Sequence, residues 1–396
     1  MMQISPETQL FIREHSSDDV RVLALQAKKY PDIDIPTAIT QIAGRKVAAE
    51  KIPSWWEIEK IWYPKHLSLE QCSSEITARY KARLLQGDSL TDLTGGFGID
   101  CSFLATGFKS ATYVERQEEL CEIAAHNFPV LNLNHINIKN EDGVTYLQAM
   151  SPVDCLFLDP ARRNEHGGKT VAISDCEPNV AELEELLLQK ANRVMIKLSP
   201  MLDLSLALKE LKQTQEVHIL SVNNECKELL ILLGQTSPTE ISIHCVNLST
   251  KGTQEEQHFV FTREQEQCSE CTYTDSLETY LYEPNASLLK AGAFRSIAAA
   301  YPVRKLHPNS HLYTSDTFIE NFPGRIFRIV NQCSFNKKEV KENLADLKKA
   351  NVTVRNFPAT VAELRKRIHL AEGGDTYLFA STLNNGQKVL IRCEKV

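Results

Sequence analysis

Two rhythms of apolar and polar positions divide the chain. Up to about residue 85 the apolar side chains recur at helical spacing. Over Asp18–Lys29 they fall at Val20, Val22, Leu23, Leu25 and Ala27, and Pro31 stops the run. Helices are expected next over Ala38–Ile52 and Leu69–Leu85, the second opening at Ser68 with Gln71 three residues on, a capping-box pattern. Between them, Trp55-Trp56 and Trp62-Tyr63 form an aromatic cluster that reads as a packing patch.

From Leu90 short apolar runs alternate with longer amphipathic stretches. Strands are expected at Leu90–Leu93, Ala111–Val114, Ile136–Lys139, Asp154–Leu158, Arg193–Leu198, Val217–Val222 and Leu229–Leu233. Helical patterns separate the first five, which predicts an α/β fold with a doubly wound, mostly parallel sheet. The six residues between Val222 and Leu229 are too few for a parallel crossover, so the sheet should finish on an antiparallel strand. Beyond Ser237 the alternation stops. Ile241–Leu248 and His258–Thr262 read as a hairpin around the polar Ser249–Gln257. The tail reads strand (Ile326–Val330), helix (Lys337–Lys349), strand (Val352–Phe357), helix (Ala362–Ala371) and two strands, Tyr377–Leu383 and Lys388–Cys393. Asn384-Asn385-Gly386 is a hairpin turn signal. The expected organisation is a helical region (1–85), an α/β domain (86–237), a hairpin with a connecting segment (238–324) and a small, separate α+β domain (325–396).

Composition narrows this picture. A chain of 396 residues with 42% hydrophobic and 24% charged residues builds two or three ordinary cores. No stretch approaches the roughly 18 apolar residues of a membrane helix. Met1-Met2-Gln3-Ile4-Ser5-Pro6 lacks the basic-then-apolar order of a secretory signal. The 11 cysteines have no regular spacing, and Cys121, Cys155, Cys245 and Cys393 sit in apolar runs, which fits a reduced, cytoplasmic compartment. Cys268 and Cys271 have no second pair to complete a zinc site, so no metal is expected. The net charge of −7 conceals an asymmetry: residues 284–396 carry 18 Lys+Arg against 9 Asp+Glu, so a polyanion would meet the last third. Lys337-Lys338, Lys341, Lys348-Lys349, Arg355 and Arg365-Lys366-Arg367 supply much of that charge.

The candidate chemistry lies at the strand ends. Asp92-Leu93-Thr94-Gly95-Gly96-Phe97-Gly98 closes the first strand, where a doubly wound sheet binds ligands and glycines allow a sharp turn and close approach. Alone it is a weak signal. Glu115, 23 residues after Asp92, ends the second strand, where an acid can accept both ribose hydroxyls. Asp142-Gly143 follows the third strand, and Asp159-Pro160-Ala161-Arg162-Arg163 ends the fourth. Four acids, one per strand in order, exceed coincidence.

With these residues in place, positions 88–235 resemble the class I S-adenosylmethionine-dependent methyltransferases, which have a Rossmann-like fold. The resemblance implies that Gly95, Gly96 and Gly98, with Asp92 and Thr94, face the methionine part of S-adenosyl-L-methionine. It further implies that Glu115 binds its ribose and that Asp142-Gly143 meets its adenine. Thr94 stands where many members have their first glycine. Asp159-Pro160-Ala161-Arg162 is similar to the Asp-Pro-Pro motifs of enzymes that methylate base amino groups. Asp159 and the Pro160 carbonyl would accept the hydrogens of an aryl amine, and Arg162 or Arg163 could instead hold a phosphate. Ser199 stands where a cysteine nucleophile would be placed, which disfavours a covalent route. The tail order resembles THUMP-type RNA-binding modules and the C-terminal domain of translation initiation factor three. The Tyr282–Phe322 stretch before it resembles the ferredoxin-like segment that accompanies THUMP domains. The whole resembles bacterial methyltransferases with a C-terminal THUMP-like domain, implying RNA modification in which the tail binds tRNA or rRNA and the catalytic domain accepts a flipped base. Two alternatives stay open: a small-molecule or protein methyltransferase whose tail dimerises, and a catalytically silent RNA-binding protein that retains the cofactor fold. The oligomeric state is not set by the sequence.

Overall fold

Three short polar side chains start the N-terminal helices. Ser5, Asp19 and Asp34 cap α1 (Pro6–Glu14), α2 (Val20–Leu25) and α3 (Ile35–Lys51) by accepting from the backbone N–H of Thr8, Arg21 and Thr37. In this computed structural model, residues 4–162, 172–236, 238–250 and 256–396 are described. They fall into two compact units, residues 1–216 with 229–239 and residues 217–228 with 240–396.

In the first unit the helix expected over Asp18–Lys29 is α2 followed by a single 3-10 turn at Ala27–Lys29. After α4 (Pro53–Trp56), the helix expected over Leu69–Leu85 is two helices. α5 (His66–Gln71) has Lys65, not Ser68, at its N-cap, and α6 (Glu75–Ala82) restarts at Ser74. The break falls at Ser73, whose hydroxyl bonds to Asp100 at 2.7 Å rather than to its own helix, a competition typical of serine. The aromatic cluster packs as expected: Trp55 and Tyr63 are buried, and Trp55 meets Phe97 edge-on at 5.2 Å.

Apolar runs then build the sheet. The elements are β1 (Ser89–Asp92), α7 (Ile99–Ala105), β2 (Ser110–Glu115), α8 (Glu118–Val130), β3 (Ile136–Asn140), α9 (Gly143–Ala149) and β4 (Val153–Leu158). A two-stranded ribbon follows, β5 (Ala161–Arg162) with β6 (Cys176–Glu177), then α10 (Val180–Lys190), β7 (Ala191–Leu198), α11 (Leu204–Glu210), β8 (Thr214–Val222) and β9 (Glu225–Gly234). Strand order in this unit is β3-β2-β1-β4-β7-β9. The first four pairings are parallel, and β9, turned back on β8 by a two-residue connection, runs antiparallel to β7. β4 and β7 end in unbroken buried runs, the mark of strands covered on both faces.

The second unit opens with the antiparallel hairpin β10 (Ser242–Leu248) and β11 (Glu256–Thr262), then α12 (Arg263–Cys268). Next come β12 (Tyr280–Pro284), α13 (Ala286–Ala291), α14 (Ser296–Ala300), β13 (Arg304–Lys305), β14 (Tyr313–Ser315), β15 (Gly324–Ser334), α15 (Lys337–Leu344), β16 (Asn351–Val354), α16 (Val361–Ile368), β17 (Thr376–Thr382) and β18 (Lys388–Lys395). One seven-stranded sheet runs β13-β14-β12-β15-β18-β17-β16. The tail therefore shares its sheet with the connecting segment through the β12–β15 pairing. Strand alternation feeds two cores: Leu378, Ala380 and Leu390 pack with Leu344 of α15 and Leu364 of α16, while Phe379, Val389 and Ile391 pack with Leu281 and Phe327. Both tail helices are shorter than expected, α16 stopping at His369 in the left-handed region with φ 57°.

Candidate active site

The loop after β1 is shaped by its neighbours. Asp92 is 1% exposed; its Oδ1 accepts from the Thr94 N–H at 3.0 Å, while its buried Oδ2 has no partner among the described residues. Burial pushes its carboxyl up to about 8, against the pull of that N–H. Gly95 admits no side chain, because a Cβ there would lie 2.2 Å from the Tyr113 ring. Gly96 adopts φ 53° and donates its N–H to Glu115 Oε2 at 2.9 Å, and Gly98 is the N-cap of α7. Phe97 between them is buried against the N-terminal aromatic cluster.

Glu115 ends β2 at 8% exposure, its Oε1 accepting from the Gln117 N–H at 2.8 Å. Asp142 is exposed at the head of α9, where its Oδ1 caps the helix through the N–H groups of Val144 and Thr145, both at 3.0 Å. Gly143 begins that helix beside the Leu93 carbonyl. These acids stand at the carboxyl edge of the parallel strands, the side on which open α/β sheets bind ligands. An orphaned buried carboxyl oxygen and two strand-end acids are features that a bound polar group would satisfy.

Thr94 ties this loop to the motif after β4. Its hydroxyl accepts from the Asp159 N–H at 2.6 Å and approaches Asp92 Oδ1 at 3.5 Å. A glycine at 94 could make neither interaction, a local reason for the departure from the family pattern. Pro160 is buried. Arg162 pairs through its backbone with Cys176 in the β5–β6 ribbon; its side chain and the whole of Arg163 lie outside the described residues. Cys155 is buried and its thiol pushed up to about 11 by burial, unlike an activated nucleophile.

The structure adds residues that sequence reasoning missed. Lys197, near the end of β7, places its Nζ on Asp159 Oδ2, 3.4 Å from Asp100 Oδ2 and 3.1 Å from Ser73 Oγ. Lys81 of α6, fully buried, meets Asp100 Oδ1 at 2.8 Å and Ser73 Oγ at 2.7 Å. Burial works against the Asp100 charge, but the two ammonium groups hold its carboxyl at about 2. Asp159 is pushed up by burial, with Lys197 opposing. The available signal was a lysine inside an otherwise apolar strand end, Val194-Met195-Ile196-Lys197-Leu198, since a buried cation requires a partner.

In the second unit, Arg355 is not a free surface charge. Glu283, 1% exposed, takes Arg325 on Oε2 and Arg355 on Oε1 at 3.1 Å. Lys337, Lys338, Lys341, Lys348, Lys349, Lys366 and Arg367 are exposed, whereas Arg365 reaches Glu372 at 3.8 Å. Among the described residues no helix is long and apolar enough to cross a membrane.

Residues 280–323 match a ferredoxin-like domain family and residues 324–395 a THUMP domain-like family. The crystal structure of a candidate methyltransferase from Porphyromonas gingivalis W83 is similar over 100% of both chains, at 34% identity and TM-score 0.87. A candidate methyltransferase from Streptococcus mutans, solved with S-adenosylhomocysteine, matches 40% of this chain and 96% of its own at 13% identity and TM-score 0.30. An rRNA methylase from Streptococcus thermophilus matches 40% of this chain and 93% of its own, at 14% identity and TM-score 0.29. No curated protein matches the chain significantly. A full-length relative at 34% identity, on the fold and strand-end residues described above, places the chain in the class I methyltransferase-fold family that carries a C-terminal THUMP-like domain.

Proposed function

We propose that the chain is a cytoplasmic S-adenosylmethionine-dependent methyltransferase that N-methylates a base amino group in tRNA or rRNA. The observation that carries this reading is the link through Thr94, which joins Asp92 in the cofactor loop to Asp159 in the acceptor motif. Gly95, Gly96 and Gly98 with Asp92 and Thr94 would hold the methionine part of the cofactor, Glu115 its ribose, and Asp142-Gly143 its adenine. Asp92 Oδ2, without a partner among the described residues, and the exposed Asp142 fit that role. When bound, the cofactor supplies an electrophilic methyl group.

The chain's own residues prepare the acceptor. The lone pair of an aryl amine is delocalised into its ring. Asp159 and the Pro160 carbonyl would accept its two hydrogens and favour a pyramidal nitrogen, and the rest is alignment. Asp159, with a side chain 36% exposed, would also take the proton that the methylated nitrogen sheds. The exposed lysines of the second unit supply shape- and salt-dependent phosphate contacts with little sequence reading, leaving base choice to the catalytic domain.

Mass spectrometry of nucleosides from tRNA and rRNA tests this. A strain lacking the gene should lose one methylated base. The wild-type gene should restore it and an Asp159→Ala gene should not. An unchanged modification profile would overturn the proposal.

A further inference from the structure

The ion cluster beneath Asp159 does more than fill space. Five polar side chains from separate elements converge there: Ser73 from the α5–α6 break, Lys81 from α6, Asp100 from α7, Asp159 after β4 and Lys197 from β7. Two ammonium groups face two carboxylates, so the cluster is formally neutral. Lys81 cannot reach solvent, and the Lys197 side chain is 11% exposed, so neither serves solubility. The connections have a direction. Asp100 and Ser73 each hold both lysines, while Asp159 is held by Lys197 and is the member most open to the site.

We propose that Lys197 is a positioning residue for Asp159: its ammonium keeps that carboxylate ionised and aimed, and Asp100, Ser73 and Lys81 form the buried frame that fixes Lys197. This rests on the reading of Asp159 as the group that binds the acceptor nitrogen.

The physical need is specific. A carboxylate accepts hydrogens from an amine only when deprotonated, and burial disfavours that form. The charged groups around Asp159 are Lys197 from β7, Lys81 from α6, and Asp100 from α7; Asp92 from β1 feels Asp159 in turn. Burial and the Asp100 carboxylate push Asp159 towards protonation and the two lysines oppose them, Lys197 from direct contact. The same contact removes rotational freedom from Asp159, whose backbone N–H is already tied to Thr94. Without the Lys197 ammonium the carboxyl would hold its proton to higher pH and swing more freely.

The test is the pH dependence of methyl transfer by the full chain, with labelled S-adenosylmethionine and small RNA from a strain lacking the gene. In Lys197→Met the acid limb of kcat/KM should move at least about one pH unit upward, a roughly tenfold loss at pH values inside the limb. Lys197→Arg, which keeps the charge, should leave the limb near its wild-type position. A limb unmoved in Lys197→Met, with activity lowered equally at all pH values, would mean a merely structural lysine and overturn the proposal. A second measurement needs no substrate: 13C NMR titration of aspartate Cγ, with the Asp159 signal assigned by Asp159→Asn. Its midpoint should rise in Lys197→Met, and an unchanged midpoint would refute the coupling. Failure of the wild-type chain to transfer any methyl group would instead count against the proposed function, with the NMR titration still deciding the role of Lys197.

Discussion

Asp100→Asn offers a sharp stability test because it changes charge and almost nothing else. In the wild-type chain Asp100 stands between a fully buried lysine at 2.8 Å and a second at 3.4 Å, with the Ser73 hydroxyl at 2.7 Å. The amide has the same shape but cannot balance the Lys81 ammonium, and removing one partner of a buried pair costs about 3–5 kcal/mol. Asp159 remains beside Lys197 and offsets part of the loss, so about 3 kcal/mol is expected. Urea unfolding of the full chain, followed by far-ultraviolet circular dichroism, measures it. Adding Lys81→Met to Asp100→Asn should recover much of the stability, because it removes the charge that the first change left unbalanced. A loss under about 1 kcal/mol, or a double variant no more stable than Asp100→Asn, would refute the reasoning.

Further outcomes follow from the same geometry. Asp100 is held at about 2 in the folded chain against 3.8 for the free group, so its contribution is present above pH 3.8 and lost as pH falls through 2. That contribution is about 2 kcal/mol, and acid titration of stability should show a drop in this window that Asp100→Asn lacks. Gly95→Ala would press a methyl group into the Tyr113 ring at 2.2 Å; it should cost about 1–3 kcal/mol and weaken S-adenosylhomocysteine binding by calorimetry. Replacing Lys337, Lys338, Lys348 and Lys349 with alanine should lower tRNA affinity and flatten its salt dependence in filter binding, the log–log slope falling by up to about 0.7–0.9 for each phosphate no longer neutralised. Arg355→Ala should chiefly lower stability, since it removes one of the two guanidinium groups on buried Glu283.

How far the sequence reveals this architecture depends on the range of the cause. The strands of the first sheet are legible because burial on both faces makes β4 and β7 near-continuous apolar runs, and the six residues between the apolar runs at Val217–Val222 and Leu229–Leu233, two of which, Asn223 and Asn224, link β8 to β9, exclude a parallel crossover. The strand-end acids are legible because one-per-strand spacing is a property of the chain itself. The meeting of Thr94 with Asp159 is not, since those residues are 65 apart and come together only when β1 and β4 pair. The Ser73 break and the Lys197 frame escape detection for the same reason: each depends on partners from α6, α7 and β7. Arg355 looked like one more basic surface residue because its carboxylate partner is 72 positions away on β12. Local periodicity thus reports elements, and the ion pairs that distinguish this site arise from long-range pairing.

The central claim is methyl transfer to an RNA base. Purified chain, labelled S-adenosylmethionine and RNA from a strain lacking the gene should be combined, and the RNA digested to nucleosides for identification. The account predicts label in a single N-methylated nucleoside with the wild-type chain and none with Asp159→Ala, while both chains bind S-adenosylhomocysteine. Label appearing equally with Asp159→Ala, or only in protein or small molecules, would contradict it.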